Sequence, residues 1–113
     1  MARDGALSQA IAAAGQRVGD PLWPMPMHMP YAQHLRSSIA DLCNITEGFP
    51  FAGSITAGLF LERFVPKDIG WAHLDIFCWN PSARAGRPTG ADANAARAAA
   101  AFLKSWRPAN KRS

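Results

Sequence analysis

The chain has 113 residues, of which 49% are hydrophobic and only 18% charged, with a formal net charge of +4. That balance excludes a disordered chain, and the length allows one domain or part of one. Charge is unevenly placed: residues 81–113 hold Arg84, Arg87, Arg97, Lys104, Arg107, Lys111 and Arg112 against Asp92 alone, while residues 1–80 are slightly acidic.

The basic third has only Phe102 and Trp106 as aromatics, with no zinc-finger spacing and no stacking motif. A solvated helix face and a flexible basic tail at 107–113 are therefore expected rather than a nucleic-acid surface. Cys43 and Cys78 lie in apolar surroundings without a CxxC motif and are expected to be buried free thiols in a reducing compartment. The N-terminal stretch lacks the apolar run of a signal peptide and no apolar stretch reaches the length of a membrane span, so a cytoplasmic location is expected.

In chain order, residues 4–18 place Leu7, Ile11, Ala14 and Val18 on one helical stripe, with Asp4 as N-cap and Gly19 as the stop. PLWPMPMHMPY (21–31) follows. Its four prolines exclude helix interior and central strand and force an extended, polyproline-like path. Trp23, Met25, Met27 and Met29 share a period of two, so this ribbon is expected to lay one apolar side against something. YAQHLR (31–36) suits a short helical turn, and SIADLCNI (38–45) alternates like a mixed strand.

TEGFPFAG (46–53) reads as a loop. SITAGLFLERFV (54–65) is apolar nearly all round, as a helix buried on most sides would be, and Gly58 within it implies a packing reason. WAHLDIFCW (71–79) has strand composition, NPSARAGRPTG (80–90) is turn-rich, and residues 91–106 form an alanine-rich closing helix. The order helix, strand, helix, strand, helix argues for α/β. Two strands do not make an independent sheet, so the chain looks like a piece of something larger.

Chemistry is sparse. His73 and Asp75 share a strand face and could serve a metal or a base, but a third ligand is not evident, so a structural hydrogen-bonded pair is expected. No nucleophile elbow surrounds either cysteine, and GRPTG (86–90) lacks the spacing and the lysine of a phosphate loop. No catalytic constellation is present.

Several stretches together resemble the C-terminal end of the leucyl (cytosol) aminopeptidase catalytic domain: GDPLWPMPM (19–27), SSIADLCN (37–44), AGSITAGLFLERFV (52–65), WAHLDI (71–76) and GRPTG (86–90). The likeness covers most of the chain and implies a mixed-sheet α/β fold, with residues 1–106 an incomplete catalytic-domain segment. The enzymes of that family are typically hexameric and remove N-terminal residues from peptides with two divalent ions, zinc or manganese. Their metal and catalytic motifs, of the forms VGKG, FD-x-GG and NTDAEGR, do not occur here. The resemblance therefore implies a chain inactive alone, whose partners are the rest of the catalytic domain, other subunits and, in the full enzyme, a peptide.

Matching motifs puts Ile45, Phe77 and Asn80 on positions that line the family's pocket for the substrate's first residue. The family pattern there is DIAG, whereas this chain has DIFC, so a shallower and less apolar pocket is implied. The alternative reading is a stand-alone interaction module that binds a protein or anionic partner through the apolar ribbon or the basic tail.

Overall fold

In a computed structural model of the protein, residues 1–46 and 48–107 are described. They form two compact units: Met1–Ser8 with Pro24–Asp75, and Gln9–Trp23 with Ile76 onward. The secondary structure consists of α1 (Gly5–Arg17), a 3₁₀ helix at Met29–Leu35, α2 (Gly53–Glu62), a two-stranded ribbon of β1 (Trp79–Asn80) and β2 (Gly90–Ala91), and α3 (Ala96–Ser105). The tail expected at 107–113 lies, apart from Arg107, outside the described residues.

In the first unit the core is small: Leu35, Ile55 and Leu59, ringed by Met25, Met27, Tyr31, Leu42 and Phe60. The proline ribbon thus lays Met25 and Met27 on its own unit, but its apolar side does not run on. Met29 starts the 3₁₀ helix and Trp23 is 86% exposed. Five residues of α2 are buried (Ile55, Thr56, Gly58, Leu59 and Glu62), so the expected all-round burial is only partial; Leu61 just inside its end and Phe64 just past it face solvent.

The end of α2 is held by Arg3. Its guanidinium donates to the Glu62 carboxylate at 2.7 Å and to the carbonyls of Val65, Pro66 and Ile69 at 3.0, 2.8 and 2.6 Å. One cation therefore ties the carboxylate at the helix end to the backbone carbonyls of the loop that follows it.

No strand forms over 38–45. The Ser37 hydroxyl accepts the backbone N–H groups of Ile39 and Ala40, and Cys43 N–H donates back to the Leu35 carbonyl at 2.9 Å. These local bonds turn the chain into bends, and they outweigh the alternating pattern. The 71–79 run is extended but mostly unladdered. Ala72 bridges Ala2, His73 N–H donates to the Met1 carbonyl, and only Trp79 of the run enters a named strand.

In the second unit α1 ends as expected at Gly19, which sits at φ +64. Asp20 N–H donates to the Gly15 carbonyl (2.9 Å) and Gly19 N–H to the Gln16 carbonyl (3.3 Å), the paired bonds of a Schellman end. β1 and β2 pair antiparallel, Trp79 opposite Ala91 and Asn80 opposite Gly90.

α3 begins at Ala96 rather than 91. Ala91 is taken by the ribbon, Asp92 N–H by the Cys78 carbonyl, and Ala95 adopts left-handed φ of +63. No helix is long and apolar enough to cross a membrane among the described residues.

Candidate functional site

Among the described residues three carboxylates are buried: Asp20, Glu62 and Asp92. A buried anion must be paired or hydrogen-bonded, so its partners show what it is for. Asp20 accepts the backbone N–H groups of Ala95 and Ala98, both at 3.0 Å, with the Arg97 guanidinium 3.9 Å away. It caps the N-terminus of α3 from 75 residues upstream. Burial opposes its ionisation, but the Ala98 and Ala95 amides and the Arg97 charge prevail and hold its carboxyl below the ordinary value of 3.8.

Glu62 takes Lys67 at 2.6 Å and Arg3 at 2.7 Å. The hydrogen bond from Lys67, helped by Arg3 and opposed by burial, sets its carboxyl below 4.5. Asp92 pairs with Arg87 and, at 3.7 Å, with Arg84. All three carboxylates are engaged in holding this chain's own backbone and loops together.

The other candidate groups are scattered. No group of three or more His, Cys, Asp and Glu side chains gathers to hold a metal among the described residues. His73 Nε2 is buried without a hydrogen-bond partner among them, so the pairing expected with Asp75 is not made through this nitrogen. Its ring stacks near-parallel on Trp71, at 9°. The thiols are not buried as expected: Cys78 is exposed, and Cys43 is half-buried with its Sγ 2.6 Å from the Ile45 carbonyl.

The three residues matched to the family's pocket fall in different settings. Ile45, in the first unit, is 68% exposed; Phe77, in the second, is 78% exposed. Asn80 is buried, and its amide donates to the carbonyls of Arg87 and Pro88 at 3.1 and 2.6 Å, closing the 81–89 loop. Sequence reasoning missed the three buried carboxylates. Their partners are backbone groups and cations far along the chain for Asp20, and the only local hint was an aspartate directly after a helix-ending glycine.

Residues 1–106 match the model of the cytosol aminopeptidase family, catalytic domain. Among curated relatives, a probable cytosol aminopeptidase of Geobacter sulfurreducens is 40% identical over 106 residues, covering 92% of this chain and 21% of its own length. One of Nitratidesulfovibrio vulgaris is 47% identical over 73 residues, covering 65% of this chain and 14% of that protein.

Of solved structures, the cytosol aminopeptidase from Coxiella burnetii superposes with a TM-score of 0.84 at 43% identity, over 94% of this chain and 23% of that one. The bottromycin maturation enzyme BotP in complex with Mn gives 0.83 at 32%, over 91% and 23%. The described helices and short ribbon are thus part of an α/β catalytic domain, and the sequence spans under a quarter of the length of these relatives. The chain belongs to the cytosol aminopeptidase family.

Proposed function

We propose that residues 1–106 are the C-terminal segment of the catalytic domain of an aminopeptidase that removes N-terminal residues from peptides, and that this polypeptide has no peptidase activity by itself. The observation that carries it is a mismatch between surface and chemistry. Trp23, Ile39, Ile45, Phe51, Phe64 and Phe77 are each more than 65% exposed, far more apolar surface than a small independent domain leaves uncovered. The described residues offer no metal cluster, so they do not fit the two-ion centre that the family implies. We place the zinc or manganese ligands, and the water those ions activate, on the rest of the catalytic domain, which with neighbouring subunits also covers the apolar surface.

Within that reading the chain contributes wall and support. Phe77 is proposed, from the motif match, to face the substrate's first side chain. Phe77 fills space that the family's small residue leaves open, which favours short side chains over leucine. Asn80 supports from behind, because its amide is already bound to the 81–89 loop.

The test is hydrolysis of alanyl- and leucyl-p-nitroanilide by the purified polypeptide with added Mn²⁺ or Zn²⁺. No turnover above the free-metal blank is expected; metal-dependent turnover that a chelator abolishes would overturn the proposal.

A further inference from the structure

Over Gly58, in the middle of α2, three side chains from distant parts of the chain converge. The point where a Cβ would stand is 3.4 Å from Met27 Sδ, 3.5 Å from His73 Cδ2 and 3.6 Å from Met1 Sδ. All four residues belong to the first unit. Cδ2 is bonded to Nε2, the buried imidazole nitrogen that has no hydrogen-bond partner among the described residues. Two thioether sulfurs and an unpartnered nitrogen thus surround a place that glycine leaves open.

The three side chains are held there by the backbone and by packing. Met1 and His73 exchange hydrogen bonds: the Met1 amino group donates to the His73 carbonyl at 3.1 Å, and His73 N–H donates to the Met1 carbonyl at 2.9 Å. The imidazole lies near-parallel to the Trp71 ring, at 9°. Met27 packs on the Leu35, Ile55 and Leu59 core from the proline ribbon. Thioether side chains are unbranched and polarisable, so both sulfurs can close on a small ligand without moving the backbone.

The chemistry of this set is specific. A buried polar atom normally has a partner, and the neighbours here are soft sulfurs rather than oxygens. Thioether and neutral imidazole bring no charge, so a buried divalent ion would stay uncompensated among them. Thioethers select Cu(I), imidazole also suits copper, and manganese or magnesium prefer oxygen.

We infer that Met1 Sδ, Met27 Sδ and His73 Nε2 form a binding site for a soft univalent cation, Cu(I) by ligand type, with Gly58 providing the space. The site stands apart from the two-ion centre placed on the rest of the catalytic domain and does not depend on the peptidase reading. A bound ion joins the start of the chain, the proline ribbon and the 71–73 segment, and so stabilises the first unit by mass action.

The experiment titrates Ag⁺, a redox-inert probe of the same charge and softness, into the full 113-residue chain carrying Cys43→Ser and Cys78→Ser, because thiolates take the same ions. Methyl NMR of the four methionines reads the site. Saturation at one equivalent is expected, with the Met1 and Met27 methyl signals shifted and those of Met25 and Met29 unmoved. A chain starting at Ala2, Met27→Leu, and His73→Phe (which keeps a ring on Trp71) should each weaken binding by roughly tenfold or more, at least the loss that an outer-shell partner costs. Gly58→Ala should abolish binding while raising the thermal midpoint of the ion-free chain, a combination that misfolding cannot give.

Equal shifts of all four methyl groups would mean contact with exposed thioethers only and would overturn the inference. So would Zn²⁺ or Mn²⁺ binding as tightly as Ag⁺, or unchanged binding by Gly58→Ala. Nitroanilide turnover tests the functional proposal alone, and neither result there alters the reading of the Ag⁺ titration.

Discussion

Asp20→Ala is the sharpest probe of how this chain is held together. In the native chain the Asp20 carboxylate takes the amides of Ala95 and Ala98, and the three residues are 4%, 2% and 0% exposed. Removing the carboxylate leaves two buried donors unsatisfied at the start of α3, each costing about 1–3 kcal/mol unless water enters. A total of about 2–6 kcal/mol follows, and Asp20→Asn, which keeps one acceptor, should lose about half of that.

The assay is amide hydrogen exchange, with the Ala95 and Ala98 amides exchanging roughly 30-fold faster in Asp20→Ala if 2 kcal/mol is lost. The sign with pH is fixed by the lowered carboxyl. The stabilisation is complete above the ordinary aspartate value of 3.8 and disappears as pH falls through the lower folded value. If Asp20→Ala left both amides as protected as before, the long-range cap would be refuted.

Other substitutions test neighbouring parts of the same account. Gly15→Ala should destabilise by about 2 kcal/mol or more in urea unfolding, because its Cβ would overlap the Asp20 carbonyl oxygen and sit 3.1 Å from Ala98 Cβ. Gly58→Ala should do the opposite. A Cβ there has Met27 Sδ, His73 Cδ2 and Met1 Sδ as its nearest neighbours, at an ordinary 3.4–3.6 Å, so helix propensity gives a gain of about 1 kcal/mol. Cys78→Gly should raise the thermal midpoint, since Cys78 holds φ +55, where a side chain costs about 1–2 kcal/mol. Glu62→Gln should lower the urea midpoint above pH 4.5 and match the parent once pH falls below the lowered folded value of Glu62, where the parent's carboxylate is itself protonated.

Helices were legible in the sequence because their signals are local. The Leu7, Ile11, Ala14 stripe and Gly19 gave α1 to within a residue at each end, and the apolar run with Pro66 gave α2. Strands were not, because a strand is defined by its partner. The 71–79 run has the composition of a strand, yet among the described residues it finds one bridge and a two-residue ribbon. At 38–45 Ser37 supplied what alternation cannot reveal, a hydroxyl that captures two amides.

Gly58 misled in the other direction. A glycine in a helix suggests close approach, and here the neighbours are flexible methionine ends and a ring edge. Of the residues matched to the pocket, Phe77 kept an open side chain whereas Asn80 proved to be bound inward, a difference decided by the ribbon register and invisible to motif matching.

The placement of charge and apolar surface then becomes a single argument. Every buried carboxylate among the described residues fastens the chain's own backbone or loops: Asp20 an N-terminus, Glu62 a C-terminal staple, Asp92 the two arginines of the 84–87 turn. A carboxylate held that way has its lone pairs taken by strong donors, which makes it a poor metal ligand and a poor base. The side chains left unsatisfied among the described residues are of another kind: a buried imidazole nitrogen on His73 and a series of open aromatics. Burying one aromatic side chain such as Phe77 is worth about 1.5–3 kcal/mol, so covering several is comparable with the whole stability expected of a chain this size. Such a surface is far more favourable when another part of a catalytic domain lies against it than when water does.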